Sequence, residues 1–221
     1  MVVRLMSRWM TTAAAAGTMI LALAGPAQAA GTVEALWNME SLPTMVDSAG
    51  GDNDGSTNDV TLSGGFYSFN GSTSIASVPH KANLNPGTAN IKIEVRLKVA
   101  TPPKSGASYD ILRKGTSRTT AGYYKLELRG TSSGMNAACI FKNANKVVGT
   151  VTTPIPSKTW LTIACTKTSK TVSVAVNGST KKTVSKTLGS LGNTSGVNIG
   201  GKGDGTDVFD GLMDKASITI G

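Results

Sequence analysis

The chain has one histidine, His80, and only four glutamates, Glu34, Glu40, Glu94 and Glu127. It has two cysteines, Cys139 and Cys165, and aromatics make up 5% of it. These shortages exclude several chemistries. A Ser–His–Asp hydrolase needs an oriented histidine beside its nucleophile. His80 follows Pro79 in a turn-like stretch, no Gly-x-Ser-x-Gly motif exists, and the residue reads as an ordinary surface group. Two cysteines and one histidine without close spacing do not build a closed zinc shell. Glycoside hydrolysis needs two carboxylates flanking the scissile bond. The clearest strand carries a single one, Glu94, between Lys92 and Arg96. No glycine-rich segment opens a helix as a phosphate-binding loop would. The expectation is a chain that is not an enzyme.

Long apolar runs are also missing, with one exception. After Arg4 and Arg8, an Ala-rich stretch runs from Trp9 to Ala24 and ends in Gly25-Pro26-Ala27-Gln28-Ala29. It is shorter than the roughly 20 residues a membrane-spanning helix needs. Small residues at Ala27 and Ala29 match a signal-peptidase site. We therefore expect a signal peptide over 1–29, a single domain over 30–221, and a secreted, extracellular product without a membrane span. In such a compartment the two cysteines read as a disulfide. A bridge closing a loop of about 25 residues contributes roughly 3–4 kcal/mol.

Acidic residues are absent from 128–203, which holds 10 basic ones; the preceding part of the mature chain is balanced and the tail from Asp204 is acidic. A cationic third of this kind raises the local concentration of anionic polymers. It also serves simply as a solubilising surface. The lysines are not interleaved with aromatics, so no nucleic acid partner is expected.

What the mature chain does have is strand and turn signal. Residues 91–99 alternate aliphatic and charged without a break, placing one face on a core and the other in water. Residues 171–176 repeat the pattern and stop at Asn177-Gly178, a hairpin signal, with 180–184 expected to pair back. Further strands are expected at 33–39, 65–70, 74–78, 109–114, 123–129, 135–141, 147–151, 160–166, 197–199 and 212–220. Trp37 and Trp160, inside such strands, read as core. No helical periodicity is sustained. A dozen short strands imply an all-β fold, a two-sheet antiparallel jelly-roll sandwich.

Several motifs occur together in a familiar order. They are Leu36-Trp37-Asn38-Met39-Glu40, Val46-Asp47-Ser48-Ala49-Gly50 with Asn53-Asp54-Gly55, and Phe69-Asn70-Gly71. Trp160 to Cys165, Val174-Ala175-Val176-Asn177-Gly178, Ile199-Gly200-Gly201 and Phe209 to Asp214 follow. In these the chain resembles the laminin-G-like jelly rolls of the concanavalin A-like lectin/glucanase superfamily, over nearly the whole mature length. The resemblance implies a structural calcium ion near the joined chain ends. Glu40 and Asp214 would face each other across the terminal strands, with Asn70 beside them. Asp214 alternates with Leu212 and Ala216 in a row that reads as inward, where a carboxylate is costly unless paired or liganded. The Asp47, Asp52 and Asp54 loop is the alternative, since calcium takes carboxylate and carbonyl oxygens.

A sugar ligand needs stacking rings. Tyr109, Tyr123 and Tyr124 lie on strands beside the alternating one, with Arg113, Lys125 and Arg129 nearby, and form the expected platform. The sequence thus predicts a non-catalytic binding module for carbohydrate, polysaccharide or another anionic cell-surface polymer. The alternative is a structural, adhesion or protein-interaction module with an extracellular protein partner. Folds of this kind host many functions, so the site has to decide.

Overall fold

The computed structural model describes residues 31–221. The expected leader over 1–29 lies outside the described residues. Sixteen strands follow in order: β1 (Thr32–Trp37), β2 (Thr44–Met45), β3 (Gly55–Asn58), β4 (Thr61–Ser63), β5 (Phe66–Asn70), β6 (Ile75–Val78), β7 (Ile91–Val99) and β8 (Ser108–Lys114). They continue with β9 (Tyr123–Thr131), β10 (Gly134–Lys142), β11 (Val148–Ile155), β12 (Trp160–Lys167), β13 (Thr171–Val176), β14 (Ser179–Ser185), β15 (Val197–Ile199) and β16 (Asp210–Ile220). One short 3-10 turn, Ala82–Leu84, precedes β7. Among the described residues no helix is long and apolar enough to cross a membrane.

The strands form two antiparallel sheets. The first runs β14-β13-β12-β7-β16-β5-β4, with β1 beside the end of β16. The second runs β11-β10-β9-β8-β15-β6-β3-β2. The jelly-roll sandwich expected from the sequence is the fold. β7 sits near the middle of the first sheet, where its alternation is most useful. Ile91, Ile93, Val95, Leu97 and Val99 are all buried, while Lys92, Glu94, Arg96 and Lys98 face out. Each buried aliphatic contributes roughly 1.5–3 kcal/mol. Facing it from the second sheet, β9 turns Tyr124, Leu126 and Leu128 inward and β10 turns Met135, Ala137, Cys139 and Phe141 inward. These close one continuous core with Trp37, whose indole N–H donates to the Asn53 carbonyl at 2.8 Å.

The disulfide joins Cys139 of β10 to Cys165 of β12, so it ties one sheet to the other across the core. Its Cα atoms are 5.3 Å apart, about half the usual separation of packed sheets. Small residues permit this approach. Gly149 of β11 lies so close to β13 that a Cβ there would come within 2.7 Å of a Val172 methyl. Pro154 is tolerated in β11 because that strand is an edge.

Two bulges re-aim side chains. One lies between Asp110 and Leu112 in β8, so Ile111 and Leu112 are both buried and Lys114 is turned inward. The other lies between Met213 and Lys215 in β16. It puts Met213, Ala216 and Ile218 on the inner row and turns Asp214 outward. The inward row expected for Asp214 is therefore corrected: the bulge shifts the alternation by one residue.

Candidate functional site

The outward residues of β9 are Tyr123, Lys125, Glu127 and Arg129. Strand pairing sets Glu127 opposite Asp110 of β8, and Lys125 opposite Arg113. The result is a band of alternating charge on the outer face of the second sheet. Arg113 and Lys125 both donate to Asp110, the latter at 3.2 Å, while Lys125 and Arg129 both donate to Glu127. Asp110 is fully buried and Glu127 nearly so. Burial at this depth is tolerable only because every carboxylate oxygen has a cationic partner. The guanidinium of Arg113 also donates to the Gly115 carbonyl at 3.0 Å, which fixes the loop following β8.

Beside this band opens a surface cavity of about 380 Å³. Its lining comes from two strands and three separate loops: Arg113 of β8, Thr116, Ser195, Asn198 of β15, and Lys202 with Asp204. Asn198 is held by Ser77, whose hydroxyl donates to its side-chain oxygen at 3.1 Å. Lys202 is paired with Asp207 at 2.5 Å, and that hydrogen bond raises its pKa. The Asp204 carboxylate accepts from the Thr206 hydroxyl and N–H, and those bonds lower its pKa. The cavity rim is thus a set of polar groups held in place by partners behind them, an arrangement suited to a hydroxyl-rich ligand.

The wall at Ser195 rests on an unusual support. Lys114, turned inward by the β8 bulge, is fully buried. Its ammonium meets the Asn193 carbonyl at 2.9 Å, the Asn193 side-chain oxygen at 3.2 Å and the Ser195 carbonyl at 2.8 Å. It also lies 3.3 Å from His80 Nδ1. No carboxylate takes part, and burial pulls its pKa down to about 8. Asn193 completes the support by donating to the Gly122 carbonyl at 2.9 Å and accepting from the Ser195 N–H at 2.9 Å. His80, read from sequence as an ordinary surface residue, is exposed but leans on this lysine. Lysine at a strand end gave no hint of this role; only the bulge reveals it.

The expected tyrosine platform is divided. Tyr123 faces outward, nearly covered, with the Lys142 ammonium 5.3 Å from its ring centroid. Tyr124 points into the core and donates its hydroxyl to the Leu84 carbonyl at 3.0 Å, and burial raises its pKa. Tyr109 also faces inward and meets Phe209 edge-on at 6.0 Å. Burial, aided by Asp210, raises its pKa. Tyr109 and Tyr124 are therefore core residues, because alternate positions on each strand face opposite sides. Of the expected ligand contacts, the structure brings Tyr123 and Arg129 to the outer face with Arg113 and Lys125.

Trp160, expected in the core, is instead on the outer face of the first sheet. Its ring packs on Phe66 at 4.8 Å and under the Arg96 guanidinium at 4.6 Å. Leu161, Ile163 and Cys165 take the inner positions of β12. Arg96 also pairs with Asp214.

The carboxylates expected to hold calcium are not gathered. Asp214 is taken by Arg96, and Glu40 is exposed. Asn70 pairs with Asp210, at the start of β16, and its side-chain oxygen accepts the N–H groups of Ser72, Thr73 and Ser74. It shapes a turn. In the alternative loop, Asp47 accepts from the N–H of Leu36, Ala49 and Asn53 and from the Asn53 side chain. Burial pushes the Asp47 pKa up, but these bonds outweigh it and hold it below the usual range. Asp54 accepts the Asp47 N–H, and Asp52 is exposed. Among the described residues no group of three such side chains is placed to hold a metal ion. Asp214 and Asp47 are thus already engaged by protein donors, and no role is derived for calcium.

A family model described as the concanavalin A-like lectin/glucanases superfamily matches residues 69–219. No curated protein matches the chain. Among solved structures, the binding domain of botulinum neurotoxin serotype D superposes with a TM-score of 0.66 at 14% identity, over 85% of this chain and 47% of that one. A structure of botulinum neurotoxin type C, whose cell entry is described as dependent upon interaction with two ganglioside molecules, gives 0.63 at 13% identity, over 83% and 47%. The binding domain of botulinum neurotoxin DC in complex with rat synaptotagmin II gives 0.65 at 10%, over 85% and 48%. The chain spans about half the length of each.

Proposed function

The chain belongs to the concanavalin A-like lectin/glucanases superfamily, and we propose that it is a secreted, non-catalytic binding module for carbohydrate or an anionic cell-surface polymer. The ligand surface in this reading is the outer face of the second sheet and the cavity at its edge. One observation carries it: Thr116, Ser195, Asn198 and Lys202 converge from separate segments on a cavity of about 380 Å³. Such convergence of fixed polar groups gives orientation and specificity to a small ligand unit.

The adjoining carboxylates support binding rather than hydrolysis. Asp110 and Glu127 are opposed on neighbouring strands, as a glycosidase pair would be. Yet all four of their oxygens face Arg113, Lys125 or Arg129, and both side chains are covered. A glycosidic oxygen has no approach to either. Two of the structural neighbours, each about twice the length of this chain, are themselves described as interacting with gangliosides or in complex with a protein.

The half-buried Trp160, Phe66 and Arg96 group on the opposite face favours a second reading, a protein-interaction or adhesion module without a glycan ligand. A polysaccharide and cell-wall array separates the two. Selective binding by the mature chain that weakens in Asn198→Ala and Thr116→Ala supports the first reading. Binding of no glycan transfers the function to the protein-interaction reading.

A further inference from the structure

Of the ten cations between residues 128 and 203, only Arg129 and Lys202 are ion-paired among the described residues. The fold collects several of the others at one corner. β10, β12 and β14 end, and β11 and β13 begin, at the same end of the sandwich. Backbone bonds tie their turns together. Lys186 N–H donates to the Lys170 carbonyl at 2.8 Å, and Ala144 N–H to the Ser190 carbonyl at 3.3 Å. The Lys142 ammonium donates to the Ser117 carbonyl at 2.6 Å, which brings in the neighbouring Arg118. A Cβ at Gly149 would lie 3.3 Å from Lys186 Cγ, so the first sheet's edge touches the second sheet's edge here.

Arg118, Lys146, Lys170 and Lys186 therefore share one corner, with Lys142 buried beneath it. The segments 115–122, 143–147, 168–170 and 186–190 contain no aspartate or glutamate. Stable surfaces normally intersperse charge of both signs. A corner of one sign repels itself and attracts an extended counter-charge.

We propose that this corner binds a linear polyanionic polysaccharide, one that carries sulfate, phosphate or carboxylate groups along its length. This rests on the anionic-polymer part of the reading above and assigns it a surface beside the cavity, with which it shares the 115–122 loop. The cations are spread over four segments rather than converging on one pocket, which suits a chain rather than a single small anion. Val148, at the start of β11, is the one large apolar residue exposed beside these segments, whereas a membrane-surface anchor presents several apolar groups.

The test compares two triple variants of the mature chain with equal charge loss, Lys146→Gln/Lys170→Gln/Lys186→Gln at the corner and Lys92→Gln/Lys98→Gln/Lys215→Gln on the outer face of the first sheet. Binding to dextran sulfate is measured at physiological salt, with neutral dextran and phosphatidylserine vesicles alongside. The corner variant is expected to bind dextran sulfate on the order of tenfold more weakly, the other variant near wild type. Equal weakening in both would mean net charge alone and would overturn the proposal. No dextran sulfate binding by the wild type, or preference for the vesicles, would overturn it as well. Neither result touches the cavity, whose neutral-glycan binding on the array should be unchanged in the corner variant.

Discussion

The ammonium of Lys114 rests on both oxygens of Asn193, at 2.9 and 3.2 Å, a buried cation held by neutral acceptors alone. The contact sets the loop that gives Ser195 to the cavity. Lys114→Met should leave the Asn193 and Ser195 carbonyls without their donor and cost roughly 1–3 kcal/mol. Urea unfolding measures it.

The same lysine sets a pH dependence. Burial takes its folded pKa from 10.5 to about 8. Below pH 8 both folded and unfolded chains carry the proton. Between 8 and 10.5 only the unfolded chain does, so stability rises with pH there, by at most about 1.4 kcal/mol per unit. The stability of the wild type minus that of Lys114→Met, followed from pH 7 to 10, should climb above pH 8. A flat difference contradicts the assignment.

Asp47 has the opposite sign. Its carboxyl is held below the usual range, so its contribution is present at neutral pH and fades as pH falls below the unfolded value of about 4. Asp47→Asn should destabilise by roughly 1–3 kcal/mol at pH 7. The gap to wild type should narrow in acid. Thermal unfolding at pH 7 and pH 3 gives the comparison.

Cys139→Ala/Cys165→Ala removes the covalent tie between the sheets. The loss expected for a 26-residue separation is roughly 3–4 kcal/mol. Reduction of the wild type should reproduce it in denaturant titration.

Much of this fold can be read from residue pattern, and the exceptions have physical causes. The 91–99 alternation became β7 with the same bounds, and Asn177-Gly178 closed the β13–β14 hairpin. β2, β3 and β4 are two to four residues long, too short for alternation to register. The site was less legible. Period 2 assigns faces only while register holds, and the bulges at Asp110/Leu112 and Met213/Lys215 reset it. That is why Asp214 faces out and Lys114 faces in. Trp160 has the size of a core residue, but its strand gives the inner row to Leu161, Ile163 and Cys165. The cavity at Asn198 joins residues more than 80 positions apart, which no local motif records.

The most direct test of the binding reading is a footprint. The strongest glycan from the array would be titrated into the isotope-labelled mature chain and amide shifts followed by NMR. The account predicts perturbations centred on Thr116, Ser195, Asn198 and Lys202, extending to Arg113 and Tyr123, with Tyr124 and Trp160 unmoved. Shifts centred on Trp160, Phe66 and Arg96 would contradict it and place recognition on the opposite sheet.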